Sequence, residues 1–319
     1  MKKTVFIIII TLLTIGCNSE IKDSESKIEI EKGTEVTEQE APEPNEEVLE
    51  TDTPESQEKT DSIIGSWVGY FKEDTKEDYT DKAVQVDGAV YWNRDNKINI
   101  SIDKITDSLV FGHSVVAGNN RPFKGVVIDG VFSVKEPGDD KYDGEFKFKI
   151  SGNKLIGKWT AYKDINIKHR KYELEKRQFS YNPDIMLERA RQYVNWNTYT
   201  EEKITEEYGE GQFEEWISKE FAFATDLIYT MNASNTLLKK EDVENLKKGD
   251  ITIVRNTIYA RHGYSFKNRP LRIFFDAQSW YIPVHADIKS DFTDLEKENI
   301  QLLLRYEKNA KEYYDYFGR

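Results

Sequence analysis

Between Ser62 and Phe179 the chain alternates apolar and polar residues with a period of two, which restricts this stretch to half-buried antiparallel strands. Ile98, Ile100 and Ile102 alternate with Asn99, Ser101 and Asp103, and Phe146, Phe148 and Ile150 alternate with Lys147 and Lys149. Asp129-Gly130, Asp143-Gly144 and Gly152-Asn153 supply turn signals. About eight strands follow, near 64–72, 83–93, 97–105, 108–116, 123–135, 143–150, 153–162 and 168–178. Eight strands in roughly 115 residues predict a small antiparallel β-barrel over 62–180, because closure removes the exposed edges of an open sheet.

Two Gly-x-Trp units bracket this segment, Gly65-Ser66-Trp67 and Gly157-Lys158-Trp159. The first resembles the opening of calycin barrels, the lipocalins and avidins. The resemblance implies a Trp closing one barrel end beneath a basic residue of the last strand, here Arg170 or Lys171. Trp67, Trp159 and Arg170 are the barrel-closure residues it points to. Trp also suits any core, so the pattern by itself indicates only a large buried ring.

The N-terminus sets an expectation about compartment. Lys2 and Lys3 precede an apolar run from Val5 to Leu13, followed by Gly16 and Cys17, the arrangement of a signal peptide over residues 1–16. The run is shorter than the roughly 20 apolar residues a transmembrane helix needs. Leu13-Thr14-Ile15-Gly16-Cys17 resembles the bacterial lipobox, with Thr14 where the family usually has Leu. That resemblance implies a Cys17 thiol carrying palmitate-type acyl chains, and a protein lipid-anchored in the cell envelope and facing the periplasm or exterior. Cys17 is the only cysteine, so an intramolecular disulfide and a Cys-type zinc site are excluded.

Residues 18–61 hold sixteen Asp or Glu against four Lys and contain no aromatic residue. Such a segment buries too little surface to offset its ordering entropy, and reads as an acidic tether spanning roughly 35–40 Å. It accounts for most of the net charge of −13, leaving the rest of the chain nearly balanced. No basic patch suited to tracking phosphates stands out, so nucleic acid is not an expected partner.

After Asn182-Pro183 the strand signal stops. Phe213, Trp216, Ile217, Phe221, Ala224 and Ile228 recur three or four apart, which predicts a helical connector over 181–232 and an all-α C-terminal region. Farther on, Asp250 reads as an N-cap, Ile251 to His262 as three helical turns, and Gly263 as the left-handed residue that ends them. Arg255, Tyr259 and His262 fall on one face of that helix, and Arg261 points elsewhere. Thr293-Asp294-Leu295-Glu296 is a capping box opening a final helix.

Ile258-Tyr259-Ala260-Arg261-His262-Gly263, preceded by Val254-Arg255-Asn256, resembles the YARHG domain, a module of exported bacterial proteins. Ser234 to Leu246, Phe274-Phe275, Trp280-Tyr281-Ile282-Pro283 and Thr293 to Asn299 extend the resemblance, and the domain is set at 233–319. The resemblance implies an extracellular setting and no specific activity. From the residues themselves two readings stand. Arg261 and His262 form an anion or glycan pocket beside Trp280 and Tyr281, or they form a polar lock in which Arg261 pairs with Asp276 or Glu296 and His262 caps the helix.

Metalloprotease, nucleophile-elbow, phosphate-loop and dinucleotide motifs are absent. Gly112-His113-Ser114 lacks the second Gly of a nucleophile elbow, and Lys141 and Ile150 spoil a calcium loop around Asp139 and Asp143. No catalytic residue, metal or cofactor is expected. The leading expectation is a non-enzymatic envelope lipoprotein whose C-terminal module contacts an envelope glycan or protein. A lipocalin-like carrier of a small apolar ligand and a cell-wall hydrolase are the alternatives.

Overall fold

In the computed structural model, which describes residues 62–76, 84–86, 89–92, 94–288 and 291–313, eight antiparallel strands close into a barrel. The stretches expected to form a signal peptide (1–16) and an acidic tether (18–61), with Cys17 between them, lie outside the described residues. Barrel order follows the chain from β4 (Asn96–Thr106) through β5 (Leu109–Val116), β6 (Asn119–Ile128), β7 (Val131–Lys135), β8 (Gly144–Ser151), β9 (Lys154–Ala161) and β10 (His169–Arg177). β1 (Gly65–Glu73) closes the ring by pairing with both β10 and β4.

Two strand expectations change. The stretch 123–135 is two strands, because Asp129 and Gly130 both adopt positive φ and reverse the chain between Ile128 and Val131. Within the expected strand 83–93, β2 (Val84–Val86) and β3 (Ala89–Trp92) pair with one another as a separate two-stranded sheet outside the barrel. The alternation places Trp67, Ile98, Ile100, Ile102, Phe146, Phe148, Leu155 and Leu174 inside, each essentially removed from solvent. Each such burial contributes roughly 1.5–3 kcal/mol, and together these side chains fill the interior.

The expected helical connector is instead a long hairpin, β11 (Val194–Gly209) and β12 (Gln212–Phe223), followed by a 3-10 turn at Asp226–Tyr229. The C-terminal region is therefore not all-α. Its helices are α1 (Lys240–Val243), α2 (Lys248–Arg261), α3 (Arg269–Asp276) and α4 (Asp294–Tyr313). They surround a second core containing Ile253, Val254, Ile258, Phe266, Phe274, Phe275 and Leu303.

Helix α2 starts three residues earlier than Asp250 suggested, with Lys247 at the N-cap. Asp250 sits at the third helical position and accepts from the Lys247 N–H at 3.1 Å, while its other oxygen accepts from Thr225. The acid thus satisfies an orphan helix donor and ties the end of β12 to α2. At the other end Gly263 has φ +70°, and a Cβ there would meet Val284 at 2.4 Å. Only glycine combines that backbone with that contact. Thr293 and Glu296 exchange both bonds of a capping box, at 3.0 and 3.2 Å.

Candidate functional site

The pentapeptide lies at the C-terminal end of α2, and its two cationic side chains turn inward. Arg261 is 2 % exposed; its guanidinium donates twice to the Ile185 carbonyl, at 3.0 and 2.7 Å, and once to Ser234 Oγ. The expected direct pairing of Arg261 with Asp276 or Glu296 is not formed, because the segment before the hairpin fills that place with a backbone acceptor. Burial pulls the Arg261 pKa down to about 10, against the attraction of Glu296.

His262 is held by Glu296, whose Oε2 lies 2.8 Å from Nε2. Tyr181 stacks on the imidazole at 4.3 Å and also donates to Glu296 Oε1, while Phe292 meets the ring edge-on at 5.2 Å. Burial pushes Glu296 up, but hydrogen bonds from His262, Ser234 and the Thr293 backbone bring it below the usual carboxylate value. One carboxylate therefore caps α4, anchors His262 and receives Tyr181.

The face of α2 expected to carry Arg255, Tyr259 and His262 is held together by aromatic contacts. Tyr259 packs on Phe292 at 4.9 Å, Arg255 lies over the Tyr259 ring at 5.8 Å, and Arg255 pairs with Glu307 of α4 at 2.8 Å. Trp280 and Tyr281 do not form the wall of a pocket around Arg261. Tyr281 is buried against Phe266 and Phe275, and its hydroxyl donates to the Tyr264 carbonyl at 2.6 Å. Trp280 is half-buried, and its indole N–H has no acceptor among the described residues.

The same module grips the barrel. The N–H of Lys97 on β4 donates to Asp276 Oδ2, and Lys97 Nζ donates to the carbonyls of Gln278 and Tyr281 at 2.9 and 3.0 Å. Tyr70 on β1 donates to the Asp276 carbonyl, and Gly118 in the β5–β6 turn donates to Ser265 Oγ. A Cβ at Gly118 would sit 2.1 Å from the Lys267 side chain, so the turn approaches the module as closely as glycine permits.

The two barrel ends differ from the closure the calycin resemblance implied. Lys176, not Arg170, lies over Trp67, at 5.8 Å, because the β1–β10 register sets Trp67 opposite Lys176. Arg170 reaches the other end, where it covers Phe71 at 5.0 Å and donates to the carbonyls of Phe71 and Arg94. Trp159 belongs to that second end. It meets Phe71 edge-on at 5.5 Å and donates to Glu136 Oε2 at 3.2 Å.

This second end opens into a cavity of about 310 Å³ bordered by α3. Glu136 lies at its floor, accepting also from Ser114 Oγ and the Gly144 N–H, and burial pushes its pKa up to about 6. Sequence reading did not find this site. Its residues come from seven strands, one helix and the loops between them without local spacing, and Ser114 and Glu136 carried no motif.

The other sequence motifs resolve locally. His113 faces outward to Asp103 at 2.9 Å while neighbouring Ser114 faces inward, so the two alternate across β5 and cannot act on one another. Asp143 accepts from Gly138 and Asp140 N–H groups and pairs with Arg121 at 3.0 Å, filling its loop with protein donors. Among the described residues no group of three or more His, Cys, Asp or Glu is arranged to hold a metal ion.

Residues 226–308 match the YARHG domain family, about a quarter of the chain, and include the whole α1–α3 region and most of α4. No curated protein matches the chain, and no solved structure does.

Proposed function

We propose that the protein is an exported envelope lipoprotein, anchored by acyl chains on Cys17, that serves as a non-enzymatic binding or structural module. It carries a lipocalin-like barrel and a YARHG module outward on an acidic tether. The observation that carries the non-enzymatic reading is the inward orientation of Arg261 and His262, both enclosed by protein partners. A cation that spends its donors on the Ile185 carbonyl and an imidazole pinned between Tyr181, Phe292 and Glu296 are suited to holding a fold.

The anchoring reading rests on the basic head, the short apolar run and the lone cysteine. No helix among the described residues is long and apolar enough to cross a membrane. Two or three acyl chains provide firm attachment where one gives marginal affinity. In this reading, contact with an envelope glycan or protein falls to the outer surface of the YARHG module.

The test is metabolic labelling with an alkyne fatty acid. Wild-type protein takes up label and sediments with membranes, and Cys17→Ala does neither. Label retained by Cys17→Ala contradicts the anchor. Against the carrier alternative stands the barrel interior filled by side chains such as Trp67, Ile100 and Phe148, and the cavity that remains at one end mixes arginines with the rings of Phe71, Phe146 and Trp159.

A further inference from the structure

We infer that the cavity between the open barrel end and α3 is a binding site for a small organic acid, its oxyanion held by Arg170 and Arg272 and its apolar body resting on Phe71 and Trp159. This inference does not depend on the anchoring reading above.

The cavity wall carries an excess of positive charge. Five arginines line it, and Glu136 is the only lining carboxylate among the described residues. Two of the five are already neutralised, since Arg94 pairs with Glu73 at 3.3 Å and Arg121 with Asp143 at 3.0 Å. Arg170 and Arg272 are not ion-paired to any carboxylate among the described residues. Each instead donates to backbone carbonyls, Arg170 to Phe71 and Arg94, Arg272 to Phe266 and Lys267.

A guanidinium stays protonated in proteins, so both side chains keep their charge despite burial. Carbonyl acceptors satisfy donors but carry no net charge, and a buried cation without an anionic partner is costly. Arg272 is 7 % exposed, and its Nε–H has no acceptor. Burial, together with repulsion from Arg94 and Arg272, draws the Arg170 pKa down to about 10, although Asp95 and Glu73 pull the other way. Arg272 is lowered by burial and by Arg269, against Asp276. An oxyanion between them supplies the missing charge and the missing acceptor together.

The floor defines the rest of the ligand. Phe71, Phe146 and Trp159 form an aromatic wall, with Phe71 beneath Arg170. A volume of about 310 Å³ lies at the small end of ligand cavities, which suits a compact body. The site is composite, because the barrel brings Arg170 and the YARHG module brings Arg272. This gives the interlock at Lys97 and Asp276 a function beyond stability.

The test uses the full chain in detergent, with phenyl phosphate and benzoate as probes and benzyl alcohol as the neutral comparison, followed by calorimetry and thermal shift. Saturable binding of at least one anion with Kd below about 1 mM, weakening with salt and absent for benzyl alcohol, is expected. Arg272→Met, checked for an unchanged melting temperature, weakens it about tenfold or more, the size of one charge-assisted hydrogen bond. Should that variant fail to fold, Arg269→Gln at the exposed rim replaces it and lowers affinity in the same direction. Failure of both anions to bind, equal binding of benzyl alcohol, or an affinity unchanged in the folded arginine variant overturns the assignment.

Discussion

The Lys97 backbone N–H donates to Asp276 Oδ2 at 2.8 Å across 179 residues of sequence, joining β4 of the barrel to the last turn of α3. Burial pushes the Asp276 carboxyl up to about 6 despite that bond and the Lys97 charge, and it pulls Lys97 down to about 8. Each charge loses more by leaving water than its partner returns.

Lys97→Met removes the charge that compensates Asp276 and leaves the carbonyls of Gln278 and Tyr281 without their donor. The expected cost is about 3–5 kcal/mol near pH 7, where Asp276 is ionised and Lys97 is still charged, and less near pH 5, where Asp276 is protonated. Urea unfolding at the two pH values reads the difference. An equal cost at both contradicts the assignment of Asp276.

Arg261→Ala leaves the Ile185 carbonyl without its two donors, and His262→Ala leaves Glu296 buried with one partner fewer. Each variant is expected to lose roughly 2–3 kcal/mol, visible as a lower melting temperature. Full stability in both variants would remove the lock.

Glu296 and Glu136 give opposite pH dependences. The pKa of Glu296 is lowered in the folded state, so its stabilisation is present above the usual carboxylate value and fades as pH falls through the folded one. Wild-type protein should therefore lose stability on acidification more steeply than Glu296→Gln. Parallel melting curves for the two proteins would contradict the shift.

The pKa of Glu136 is raised from 4.5 to about 6, so its contribution is full below 4.5 and lost as pH rises through 6. The loss amounts to about 2 kcal/mol as an upper bound. Glu136→Gln should not show that decline, and the wild-type-minus-variant difference across this window measures it. A difference that stays flat with pH contradicts the burial argument.

The barrel was legible because strict alternation and turn pairs such as Asp129-Gly130 encode it locally. The hairpin β11–β12 was not. Phe213, Ile217 and Phe221 are four apart, a spacing that serves a helix face and one face of a strand alike. Phe213, Trp216 and Ile217 are all exposed, so no core enforces the period of two, and Gly209-Glu210-Gly211 makes the turn between the two strands. The pentapeptide was visible as a helix end, but not its partners. Ile185 and Ser234 offer Arg261 a carbonyl and a hydroxyl, groups that nearly every residue or many side chains possess. The calycin resemblance points to Arg170 or Lys171 over Trp67, whereas Lys176 lies there, because the register of β10 against β1 is a tertiary fact. The arginine cavity collects residues from Phe71 to Arg272 and leaves no local trace.

Amide hydrogen exchange on the full chain, wild type against Arg261→Ala, tests most directly the claim that the pentapeptide locks the YARHG module onto the segment that follows the barrel, around Tyr181 and Ile185. Faster exchange is predicted around residues 185–188 and 234–238, spreading to α3 and to the Lys97 amide on β4. Unchanged protection at all of these, together with loss of binding to envelope material, would contradict the lock and make Arg261 a ligand-binding residue.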